Sequence, residues 1–132
     1  PFKHAINILT DRLRKDGIAT EIIQGSVSAP ARTNIFKQFQ EATSPRVLVI
    51  QPASAAHGVT LTAANTVVWW SPVSSLETYA QANARVHRSG QKHKCTVVQL
   101  QGSDAEKHVY RLLDNRINIH TKITDLYKEI LD

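Results

Sequence analysis

An α/β fold with a parallel sheet is predicted by three observations. Helical and strand periodicities alternate along the chain, the strand candidates are short runs rich in β-branched residues, and no hairpin signal joins one to the next. At 132 residues the chain fits one domain with a genuine hydrophobic core. From Phe2 to Lys15, Phe2, Ile6, Leu9 and Leu13 recur at three- and four-residue spacing, and Gly17 supplies a stop: an amphipathic helix. "IATEII" reads as a short strand. Ala31 to Phe39 repeats the helical pattern through Ile35, Phe36 and Phe39, entered through Pro30. "RVLVI", "TVVWW" and "CTVVQL" follow as three apolar runs of the kind buried on both faces of a parallel sheet. A helix around Gln81 separates the last two. After "QGSD", a Ser103 cap with Glu106 as partner opens a long pattern through Val109, Leu112, Leu113, Ile119, Ile123, Leu126 and Ile130. The expected organisation is one domain over 1–132, with 103–132 as its helical extension. No internal repeat or low-complexity linker interrupts it.

Charge narrows the partners. Sixteen Lys and Arg stand against eleven Asp and Glu, a formal charge of +5. Between Glu41 and Asp104 the only acid is Glu77, while Arg46, Arg85, Arg88, Lys92 and Lys94 lie in that section. Such an excess points to a polyanion, either nucleic acid or nucleotide phosphate. The tail from Gln101 is nearly balanced. A single cysteine, Cys95, rules out an internal disulfide and any multi-cysteine zinc site, and suits a reducing cytoplasm. No apolar run reaches membrane-spanning length, and the first residues lack a signal-peptide pattern. The start at Pro1 reads as a piece cut from something longer.

The stretch "QANARVHRSGQ" (Gln81 to Gln91) concentrates the chemistry. Ser74 with Glu77 three residues on is a capping-box signature, so a helix should start near Ser75 and end at Gly90. On it Leu76, Tyr79, Asn83 and Val86 share one face, and Gln81, Arg85 and Arg88 the opposite one. Paired guanidinium groups match phosphate oxygens and can stabilise charge developing on a transferring γ-phosphoryl group. A solvated basic face has the same spacing, so the charge pattern alone leaves both readings open.

The local sequence is more specific. "QANARVHRSGQ" resembles motif VI of superfamily 2 helicases, in the form found in SWI/SNF-type DNA-dependent ATPases and their phage and bacterial relatives. "SAAHGVTLTAANTVVWWSP" is similar to motif V and its following strand, and "IIQGSVSAPARTNIFKQFQ" to the upstream strand, turn and Arg-containing helix. The likeness spans Phe2 to Leu100. It implies a second RecA-like lobe, a parallel sheet flanked by helices that lacks the first strand, motif IV. ATP and Mg²⁺ would belong to the full-length protein, the metal being held by a missing first lobe. Carried over residue by residue, Arg88 would be the arginine finger, Arg85 a second phosphate contact and Gln81 a coupling residue. Gly58 and Thr60 would bring the motif V backbone to DNA or nucleotide. Gly25 and Ser26 would form a turn against the DNA backbone, with His57 and Lys92 as further DNA contacts. Double-stranded DNA and the first lobe of the same chain are the implied partners, the piece itself being monomeric and its setting the cytoplasm of a bacterial or phage-infected cell.

Departures bear on these roles. Ala56 replaces the first glycine of motif V and Thr60 its asparagine, and Ser71-Pro72-Val73-Ser74 replaces the Asp and Trp-Asn-Pro of eukaryotic remodellers, favouring a phage-like or bacterial branch. No G-x-x-x-x-G-K-[ST] and no Asp-Glu pair after an apolar strand occur, so the piece alone is expected not to hydrolyse ATP. The alternative is a non-catalytic nucleic-acid-binding module; an RNA helicase lobe fits less well, because those commonly end motif VI as Arg-x-Gly-Arg. The six histidines lack metal-site spacing. Trp69 and Trp70 read as buried rather than base-stacking, and Lys92, His93 and Lys94 as a basic loop that is either solvated or against phosphate.

Overall fold

In a computed structural model of the protein, residues 2–55 and 58–116 are described. They form α1 (Phe2–Lys15), β1 (Thr20–Ile23), α2 (Ala29–Glu41), β2 (Val47–Ile50), a 3-10 turn (Pro52–Ala55), β3 (Thr66–Trp69), α3 (Leu76–Ala84), β4 (Thr96–Gln99) and α4 (Asp104–Asp114). The expected alternation is present. Gly17 ends α1 at φ 79°, with its N–H bonded to Arg14 and that of Ile18 to Leu13, both at 3.0 Å. This double closure is the Schellman motif that a left-handed glycine allows. Ser28 caps α2, its Oγ accepting from Ala31 N–H at 3.3 Å, with Pro30 in the first turn where no donor is lost.

Both strand pairs are parallel. β1 lies beside β2 with Ile23 opposite Ile50, and β3 beside β4 with Val68 opposite Val98. Among the described residues these are two two-stranded sheets rather than one. No described helix is long and apolar enough to cross a membrane.

The core lies between the second pair and helices α3 and α4. Trp69, Tyr79, Tyr110, Leu112 and Leu113 are buried together. The Trp69 and Tyr79 rings sit 4.8 Å apart with a 35° tilt. Each polar atom there has a partner, as burial requires. Trp69 Nε1–H donates to Asn83 Oδ1 at 2.9 Å, and Tyr110 hydroxyl to Trp69 carbonyl at 3.3 Å. Tyr79 hydroxyl donates to Asp114 at 3.1 Å while accepting from Gln99 Nε2 at 2.8 Å. Burial, then the charge of Glu106 and the neighbouring Tyr79, pushes Tyr110 up to about 12, and burial chiefly raises Tyr79 as well. Both folded values lie above the ordinary 10.0, so the folded state holds these protons more tightly than the unfolded chain. Their contribution is complete below that ordinary value and is lost as pH rises through the folded ones. The denaturation midpoint is therefore expected to fall between about pH 10 and about pH 12, and Tyr110→Phe to lessen that fall.

Several sequence expectations are corrected. The apolar runs are not buried on both faces: Trp69 is 6% exposed, but Trp70 is 54% and Val68 56%. Successive side chains of a strand point to opposite faces. Those of Val67 and Trp69 meet α3 and α4, whereas Val68, Trp70, Val98 and Leu100 line the exposed face. The cap of α3 is Ser75, not Ser74; its Oγ accepts from Thr78 N–H at 3.1 Å. Glu77 therefore stands one position too early to close a capping box, and accepts from Gln81 Nε2 at 3.0 Å instead. Helix α4 does start at the Ser103 cap, with Glu106 N–H on Ser103 Oγ at 3.2 Å and Glu106 Oε1 accepting from Gly102 N–H at 2.8 Å. It stops at Asp114, where Arg116 turns the chain at φ 57°. The pattern's continuation through Ile119 to Ile130 lies outside the described residues.

Candidate nucleotide and nucleic-acid site

Helix α3 ends at Ala84, before the two arginines rather than beyond them. Arg85 is its C-cap, and the chain from Val86 to Gly90 is a succession of turns. The helix stops where a peptide carbonyl and neighbouring side chains find tertiary partners. Asn83 spends its side-chain oxygen on Trp69, Val86 is buried, and the Arg85 carbonyl accepts from Leu61 N–H at 2.8 Å. Gly90, at φ 96°, still adopts the left-handed conformation its position suggested, but as part of the turn that follows. Gln81, Arg85 and Arg88 consequently do not share a helix face. Gln81 lies on α3 and is half-buried, Arg85 is half-buried at its end, and Arg88 is exposed on the turn.

This turn and the loop from Gly58 to Asn65 are laced together. Arg88 Nη1 donates to the carbonyls of Gly58 at 3.4 Å and Val59 at 3.3 Å. Such long bonds hold the guanidinium loosely and use one of its nitrogens. Gln91 Nε2 donates to Ala64 carbonyl at 2.7 Å and Val86 carbonyl at 2.9 Å, and its Oε1 accepts from His93 N–H at 3.1 Å. Gly58 takes φ 77°, which a residue with a side chain rarely adopts. Thr60 is exposed beside it, while Leu61 is 5% exposed and anchors the loop. Motifs V and VI, separate in sequence, thus form one surface bearing Gly58, Thr60, Arg85 and Arg88.

The helicase conserved C-terminal domain matches residues 1–90. The chain belongs to that family. The mouse chromodomain-helicase-DNA-binding protein 1-like is 30% identical over 124 residues, 92% of this chain and 14% of that protein. A putative SWI/SNF-related regulator of chromatin, subfamily A member 3-like 1, from Arabidopsis thaliana is 27% identical, covering 89% of this chain and 14% of that protein. The lobe's fold is that of the C-terminal part of the Fun30 ATPase domain: TM-score 0.75 at 21% identity, over 84% of this chain and 36% of that one. This helicase lobe is RecA-like and has SWI/SNF-type relatives. The chain spans only 11%, 25% and 9% of three further curated relatives it matches, so it corresponds to one part of much longer proteins.

Elsewhere in the helicase lobe, the Gly25–Ser26 turn is exposed at the end of β1. Gly25 N–H donates to Gln51 Oε1 at 3.3 Å, and Arg32 Nη2 donates to Gln24 and Val27 carbonyls at 3.3 and 3.1 Å, closing the turn beneath α2. Lys92 is exposed after Gly90. His57 and Ala56 lie outside the described residues. Among the described residues no group of three or more His, Cys, Asp or Glu could hold a metal ion. Two glutamines that order the site, Gln40 and Gln91, carry no charge and no periodicity, so nothing in the sequence marks them; their amides, whose nitrogen and oxygen both find partners, do.

Proposed function

We propose that this helicase lobe is the second motor lobe of a SWI/SNF-like, ATP-dependent translocase on double-stranded DNA. The observation that carries the reading is the joined motif V and VI surface, with Arg88 exposed at its rim and held by one nitrogen. A guanidinium so placed has donors left for phosphate oxygens, and Arg85 adds a second positive charge three residues away. Bound ATP supplies the phosphoryl group to be transferred, with Mg²⁺ held by the first lobe of the full-length protein. Arg88 is the arginine finger, Arg85 a second phosphate contact, and Gln81 couples nucleotide to lobe closure. Gly58 and Thr60 bring backbone to nucleotide or DNA, while Gly25, Ser26 and Lys92, together with His57, meet the DNA backbone. Backbone N–H groups and short hydroxyls suit that role, because phosphate contacts position a protein without reading sequence. The lobe alone, without a Walker A segment, does not turn ATP over.

DNA contact by Lys92 has its own test. In the complete protein, Lys92→Ala is expected to weaken duplex binding alike for unrelated sequences and to lower the slope of log affinity against log salt by about 0.9. Duplex affinities measured across a salt series check this; an unchanged slope would return Lys92 to a solvated turn.

A further inference from the structure

The loop from Gly58 to Asn65 is gripped from two sides, and one grip comes from outside the arginine-bearing turn. Gln40, in the last turn of α2, donates through Nε2 to Thr62 Oγ1 at 2.7 Å and accepts through Oε1 from Ala63 N–H at 2.9 Å. One neutral amide therefore holds two consecutive loop residues, and the backbone N–H partner fixes which end is oxygen. The same helix closes the Gly25–Ser26 turn at its other end, through Arg32 on the carbonyls of Gln24 and Val27. Arg32 and Gln40 stand roughly 12 Å apart along the helix axis at 1.5 Å per residue. On the loop's other side, Leu61 N–H donates to the Arg85 carbonyl at 2.8 Å.

We propose that Gln40 is a positioning residue that fixes the motif V loop to α2, so that a load on the Gly25–Ser26 turn reaches Arg85 and Arg88 through one helix and the hydrogen bonds of Arg32, Gln40 and Leu61. The assignment rests on the motor reading above and adds to it the link between the DNA-facing turn and the phosphate-facing arginines. Gln40 itself touches neither ligand. Gln40→Met keeps length and shape but removes both bonds to the loop. Gln40→Glu keeps the acceptor for Ala63 N–H and offers a second acceptor to the Thr62 hydroxyl, so it serves as the rescue.

The test uses the complete protein, wild type, Gln40→Met and Gln40→Glu. ATP turnover is measured without DNA and with saturating duplex, alongside duplex affinity and the thermal unfolding midpoint. The expected result is a ratio of stimulated to basal turnover that falls on the order of tenfold in Gln40→Met, with duplex affinity and unfolding midpoint near wild type, and that is largely restored in Gln40→Glu. A wild-type ratio in Gln40→Met, a Gln40→Glu no better than Gln40→Met, or a loss of turnover that tracks a lower unfolding midpoint overturns the proposal. Absence of stimulation in the wild type is a different outcome: it removes the motor reading itself, and this link with it.

Discussion

Arg88→Ala in the complete protein is expected to lower duplex-stimulated ATP turnover by roughly three to five powers of ten, with duplex affinity changed only a few-fold. The effect is large because a finger acts on charge that develops during transfer, so its loss raises the barrier without weakening ground-state binding. Arg88→Lys should recover little, since an ammonium cannot present the planar fork that meets two phosphate oxygens. The contacts to Gly58 and Val59 carbonyls are long, so truncating Arg88 costs the fold little and the two effects separate. Steady-state hydrolysis and duplex binding, measured on the same preparations, check the pair. Unchanged turnover with weakened duplex binding would place Arg88 on DNA instead.

Trp69→Ala is expected to destabilise the lobe by about 3–5 kcal/mol, and Trp70→Ala by no more than about 0.5 kcal/mol. The two residues are adjacent, yet one strand position separates core from surface. Trp69 is 6% exposed, stacks on Tyr79, bonds Asn83, and its carbonyl accepts from Tyr110. Its removal opens a cavity and leaves the Asn83 oxygen without its donor. Trp70 is 54% exposed on the open face and loses little when shortened. Against a domain stability on the order of 5–15 kcal/mol, the first change would leave a substantial part of the population unfolded at modest denaturant, and the second would not. Equilibrium denaturation followed by far-ultraviolet circular dichroism distinguishes them.

The elements were legible where local chemistry decides them. Phe2 to Lys15 ends at Gly17 as its spacing foretold, Ser103 caps α4, and the β-branched runs are parallel strands joined by helices. Sequence misled where tertiary contacts decide. Two serines stand side by side before α3, and only the fold selects Ser75 over Ser74. The helical spacing of Gln81, Arg85 and Arg88 continues past Ala84, but the Arg85 carbonyl is engaged by Leu61, from a loop more than twenty residues upstream. An apolar run likewise does not say whether both sheet faces are covered, so Trp70 looked like Trp69. The arginines were visible because charge and motif coincide. Gln40 and Gln91 were not, because an amide reveals its role only when both of its ends have partners.

Whether this lobe works in a DNA-driven motor is tested most directly by ATP hydrolysis of the complete wild-type protein with duplex DNA, single-stranded DNA or RNA added in turn. Turnover is expected to rise with duplex well above the rise with either of the others. Duplex binding without any hydrolysis would rule the motor out, and would mark the lobe as a nucleic-acid-binding module in a helicase fold.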